Sequence, residues 1–149
     1  MTEIINSGNH VSLKAGLIAG FIASAFSGIA LLIIEWLALV PQFNFVLIQG
    51  SIFDLEERAI ASWIVYFAIG AFIWGLLYAS AEPTLSGNNS VKKGLVFGVM
   101  IWFIVMIFVM PIACAGFFLR EYGVAAAGLV FLVDLIFGAS LGYFYNKLK

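Results

Sequence analysis

The sequence predicts an all-α integral-membrane protein, a four-helix bundle, and three observations carry that prediction. Hydrophobic residues make up 64% of the 149-residue chain and charged residues only 10%, against roughly 25% charged in soluble domains. Mean hydropathy is +1.12, and a domain this small has too little polar surface to cover such a core in water. Four continuous apolar runs each approach or exceed the ~20 residues a helix needs to cross the hydrocarbon. Membrane strands would instead alternate in shorter segments. The length suits one transmembrane domain over residues 1–149.

The first run covers about residues 15–40 and stops at Pro41. It is too long, and too poor in preceding positive charge, for a cleaved signal peptide. Residues 42–58 are partly apolar but too short to cross, which predicts an interfacial or re-entrant segment. Within it, Asp54-Leu55-Glu56-Glu57 reads as a capping-box variant that opens the next helix. The second run, about 59–81, ends at Glu82-Pro83. A polar loop follows, with Asn89 or Ser90 placed to cap the third helix. That third run covers about 94–119, and Pro111 is expected to bend it near its outer end. Arg120 to Gly123 makes a hairpin turn into the fourth run, about 124–145.

Orientation follows from the basic residues. Lys14, Lys92, Lys93, Lys147 and Lys149 flank one side, whereas Arg58 and Arg120 flank the other. The positive-inside rule then puts both termini in the cytoplasm, as expected for a multi-pass protein of a prokaryotic plasma membrane. Trp36 and Trp63 fall at the outer boundary, and Tyr78, Tyr143 and Tyr145 at the inner one, as two aromatic belts. The openings Lys14-Ala15-Gly16-Leu17-Ile18-Ala19-Gly20 and Lys92-Lys93-Gly94-Leu95-Val96-Phe97-Gly98 nearly repeat. They point to a duplicated helical hairpin with parallel repeats, related about the membrane normal.

Small residues recur at intervals of four: Gly16, Gly20, Ser24 and Gly28 in the first helix, Ala71, Gly75 and Ala79 in the second. Gly94 and Gly98 do the same in the third, and Gly138 and Gly142 in the fourth. In lipid such stripes let backbones approach closely. They either seal the bundle from within or, on the first or fourth helix, meet another subunit. Phe103, Phe108, Phe117 and Phe118 are expected to face lipid.

Two acids lie within the spans, where ionisable groups are costly and mark function by default. Asp134 sits near the middle of the fourth helix, on the face of Gly138 and Gly142. No Lys or Arg occupies the centre of any run, so its neutral form is expected, donating to Ser24, Ser27, Tyr66 or a backbone carbonyl. Glu35 lies near the outer end of the first helix, within reach of an ion pair with Arg58 or Arg120.

Other chemistry is thin. A net charge of −1 gives no footprint for nucleic acid, and one His and one Cys cannot build a metal site or a disulfide. Cys114 reads as a small packing residue and His10 as a solvated interfacial one. No nucleophile–base pair or phosphate-cradling loop is evident, so neither catalysis nor a cofactor is expected. The leading reading is a non-catalytic accessory or scaffold subunit that packs against lipid and other membrane subunits, plausibly in a respiratory or other energy-transducing complex. The runner-up is a homo-oligomeric proton- or cation-linked transporter or channel using Asp134 and Glu35. A more distant one is a component that binds a lipid-soluble cofactor.

The segment Phe137-Gly138-Ala139-Ser140-Leu141-Gly142-Tyr143, after an opening Gly16-Leu17-Ile18-Ala19-Gly20, resembles small four-span prokaryotic membrane proteins of the YagU-like group. The resemblance implies the four-span layout and no activity. In that group a His often stands where this chain has Asp134, so no metal or haem role carries over.

Overall fold

In a computed structural model, which describes residues 11–149, the chain forms five helices: α1 (Leu13–Trp36), α2 (Phe45–Gly50), α3 (Ala59–Thr84), α4 (Ser90–Ile112) and α5 (Val124–Leu148). All but α2 are long and apolar enough to cross a membrane, and no strand occurs among the described residues. This is a multi-pass membrane protein built as a helical bundle. His10 lies outside the described residues.

The helix order in space follows from where side chains are small. α1 packs between α3 and α5, and α5 between α1 and α4. Along the α1–α3 seam, a methyl added to Gly20 would lie 2.9 Å from the Ala71 Cα, and one on Gly16 2.8 Å from the Ala79 Cβ. Along the α4–α5 seam, a methyl on Gly94 would lie 3.1 Å from the Gly142 Cα, and one on Gly138 2.9 Å from the Gly98 Cα. Both hairpins are therefore closed by small residues in backbone-close contact, and these stripes face inward. In lipid this is what close packing requires, since burying Leu against Leu gains little there.

The outside is apolar and the inside carries the polar groups. Phe21, Phe26, Ile60, Phe72, Phe103, Phe108 and Phe117 are exposed on the bundle's flanks, while Ser24, Ser27, Gln49, Ser62 and Asp134 are buried. An apolar exterior around a core that also holds a few polar groups suits a hydrocarbon surround. Trp36 projects outward, but Tyr78 and Tyr145 do not form the belt expected of them. Both are buried and meet edge-to-face at 5.3 Å, since the helix ends converge there around Phe97. Tyr143 alone of the three is exposed.

At that end Glu82 bridges Lys93 (2.9 Å) and Lys149 (3.5 Å), tying the end of α3 to the start of α4 and the end of α5. Asn89 caps α4 as expected, its Oδ1 accepting from the Lys92 N–H at 2.9 Å. The other end departs more from the sequence reading. α1 stops at Trp36 rather than at about residue 40, because Ala38 turns left-handed (φ 50°) and the residue before Pro41 disfavours helix.

α4 likewise stops at Ile112 rather than near 119. Pro111 has no N–H to give to the preceding turn, the helix widens to a π turn at Val105–Val109, and Cys114 (φ 60°) and Gly116 (φ 79°) then reverse the chain. Cys114 is thus an exposed turn residue and not a helix-packing group. The expected capping box before α3 is also not formed. Arg58 occupies the N-cap with no side-chain bond, and Asp54 sits in a left-handed turn (φ 56°). Ser62, in the first turn of α3, instead ties down the preceding loop, its hydroxyl donating to the Leu55 carbonyl at 2.8 Å.

Candidate functional site

The segment between α1 and α3 folds back into the bundle. Asn44 starts α2 by accepting the Leu47 N–H on its Oδ1 at 3.0 Å. Gly50 then lets α2 lie on α3, since a methyl there would lie 2.8 Å from the Ser62 Cβ and closer still to its hydroxyl. This docking buries Phe45, Val46, Ile48 and Gln49. An amide side chain is thereby carried into the interior.

It opens onto a cavity of about 30 Å³ among all four spanning helices and α2. The polar lining is Ser24 from α1, Gln49 from α2, Tyr66 from α3 and Asp134 from α5. Gly70, Trp74, Val105 and Phe137 complete the wall with other apolar groups. α3 and α4 both pass the cavity in π turns, Ile69–Gly75 and Val105–Val109. Such widened turns recur at functional sites, where they redirect side chains out of the regular helical register.

Asp134 lies ten residues into α5, about 15 Å of rise from its start. Gly98 lets α4 press against its backbone, where an added methyl would lie 2.5 Å from the Asp134 carbonyl oxygen. Its side chain is only 8% exposed, and Oδ2 has no hydrogen-bond partner among the protein atoms. Gln49 is 6% exposed, and its Oε1 is likewise unpartnered.

The hydroxyls are already committed. Ser24 donates to the Gly20 carbonyl at 2.8 Å and Ser27 to the Ala23 carbonyl at 3.0 Å. Ser27 and Tyr66 share a 2.5 Å bond. Either hydroxyl can be the donor of that pair. The donation from Asp134 to Ser24, Ser27 or Tyr66 that the sequence suggests is not made: those hydroxyls bond one another and the α1 backbone, and none bonds Asp134. The site presents acceptor oxygens from four elements and one ionisable group.

Other expected participants lie elsewhere. Gly138 and Gly142 serve the α4 seam, and Gly16 and Gly20 the α3 seam. Gly28 gives room to the Trp63 ring, 3.0 Å from where a methyl would stand. Glu35, Arg58 and Arg120 are exposed at the far end, and among the described residues Glu35 pairs with neither arginine. Glu35 stands eleven residues beyond Ser24 on α1, about 16 Å of helix rise, and does not line the cavity. No cluster of three or more His, Cys, Asp or Glu side chains occurs among the described residues. Gln49 was missed in the sequence. Its only signal there was a lone amide inside an apolar stretch too short to span.

Residues 11–149 match a family of unknown function, DUF6789. The chain belongs to DUF6789. No curated protein and no solved structure matches it. The DUF6789 match spans all four membrane helices and α2 together.

Proposed function

We propose that this DUF6789 protein moves a proton or small cation across the membrane, with Asp134 as the charge that receives it at mid-depth. One observation carries the reading: a buried carboxyl, its Oδ2 without a hydrogen-bond partner, lines a cavity between helices. A purely structural acid would be expected to satisfy itself, since an unpaired buried polar group costs about 1–3 kcal/mol. Ionisable groups that face the interior of a membrane bundle mark ion and proton paths. In the accompanying topology both termini are cytoplasmic, because Lys14, Lys92, Lys93, Lys147 and Lys149 share one end.

The accessory-subunit reading rests on the lack of polar chemistry, the small-residue stripes and the unpaired acid. The stripes pack inside the bundle and the acid lines its cavity, which supports the transport reading over it. The test is flux. Purified protein in liposomes with an imposed potential and an internal pH or cation indicator is expected to conduct at least about tenfold above protein-free vesicles, and Asp134→Asn to return flux to background. Wild-type vesicles that pass neither H⁺, Na⁺ nor K⁺ above background would overturn the reading.

A further inference from the structure

We infer that the mid-bundle cavity is a binding site for a single, partly dehydrated alkali cation, held by Asp134 and by the amide oxygen that α2 delivers on Gln49. The inference rests on the proposed role of Asp134 and names what binds there. Three features select the ligand class.

The donor set is hard. The polar lining consists of a carboxylate, an amide and two hydroxyls, with no imidazole or thiolate among it, which suits an alkali or alkaline-earth ion rather than a transition metal. The charge is single. One carboxylate lines the cavity, whereas Ca²⁺ sites gather several carboxylate and carbonyl oxygens and Mg²⁺ keeps much of its water. The space is small. About 30 Å³ takes an ion with at most two or three waters, not a fully hydrated ion or an organic cation.

The lining oxygens favour a cation over an anion. Ser24 spends its proton on the Gly20 carbonyl and keeps lone pairs for another partner, and Tyr66 shares one hydrogen bond with Ser27. Asp134 Oδ2 and Gln49 Oε1, both more than nine-tenths buried and unpartnered, add two further acceptors. Residues of α1, α2, α3 and α5 thus bring four oxygens to the lining of one small space, the ligand type an alkali cation takes. The Asp134 carboxyl beside them disfavours an anion.

The experiment uses full-length protein in detergent, with choline chloride replaced stepwise by NaCl or KCl at constant ionic strength. Tm is followed throughout, and binding is checked directly with radioactive Na⁺. At a hundredfold excess over Kd the better-fitting ion is expected to raise Tm by about 5 °C, in a saturable way. Asp134→Asn should abolish the rise. Gln49→Leu, which keeps the buried volume and removes the oxygen, should weaken apparent affinity at least tenfold while leaving Tm in choline unchanged or higher.

Equal stabilisation of wild type and Asp134→Asn would overturn the site, and so would full affinity in Gln49→Leu. Absence of any alkali effect, alongside Asp134-dependent proton flux in liposomes, would overturn the cation assignment and leave the proposed translocation standing. Saturable, Asp134-dependent Na⁺ or K⁺ binding without flux would support the site and overturn translocation.

Discussion

Gly138 and Gly128 lie on the same helix and differ in one respect, what a methyl group would touch. At Gly138 it would fall onto the Gly94 carbonyl and 2.9 Å from the Gly98 Cα and N. At Gly128 it would meet nothing within 4 Å. Backbone cannot move aside as a flexible side chain can, so Gly138→Ala must push α4 and α5 apart along their shared seam. The expected cost is roughly 1–3 kcal/mol, the range for overpacking a filled interior. Gly128→Ala should stay within about 1 kcal/mol of wild type and on the favourable side, since Ala is the better helix former. Unfolding of both variants in a detergent titration measures the difference; equal stabilities would show that the seam is looser than it stands here. The same residue-by-residue contrast explains what could be read from the sequence. Asp134 was conspicuous because any charge in an apolar run is costly. Gln49 was silent, because an amide in a short segment has no cost until the segment docks, and docking is decided by Gly50 and Ser62 on different elements.

α2 is an element whose existence composition alone does not decide. Its six residues are far too few to be helical in isolation, so tertiary contacts must hold it. Those contacts are few: Gly50 against Ser62, Phe45 edge-to-face with Tyr66 at 6.5 Å, and the buried Val46 and Ile48. A side chain at position 50 would strike Ser62, whose hydroxyl also terminates the loop at Leu55. Gly50→Val should therefore undock α2 while the four spans still form along their glycine seams. In a Cys114→Ser background carrying Gln49→Cys, maleimide labelling at position 49 is expected to be slow, and at least about tenfold faster once Gly50→Val is added. Unchanged labelling would mean that α2 is held by something other than this contact. Element ends were the least legible feature for a related reason. Hydropathy continues through Leu37–Val40 and Ala113–Leu119, yet left-handed turns at Ala38 and Cys114 stop the helices there. The turns return the chain to the bundle, bringing Phe43 edge-to-face with Tyr122 at 5.5 Å.

Across the whole molecule, charge is sorted by end. Among the described residues one end gathers Lys14, Lys92, Lys93, Lys147 and Lys149 with Glu82, and the other Glu35, Asp54, Glu56, Glu57 and Glu121 with Arg58 and Arg120. The first sums to +4 and the second to −3, with Asp134 between them. The four-span layout and this polarity were legible because both depend on composition summed over long stretches. The spatial order of the helices was not, since every helix carries a small-residue stripe and only backbone geometry decides which stripes meet. The polarity bears on function as well as insertion. A cation approaching from the acidic end meets attraction at the surface before it meets Asp134, and α2, which carries Gln49, enters from that same end. On the proposed orientation, with the lysine end cytoplasmic, the attractive mouth is extracytoplasmic, and the proposed site is expected to load faster from that side. A reporter fused after Lys149 tests this: a fluorescent protein that matures only in the cytoplasm should be bright, and a phosphatase active only outside should be inactive. The opposite pair of signals would invert the topology and, with it, the direction in which the site is expected to load.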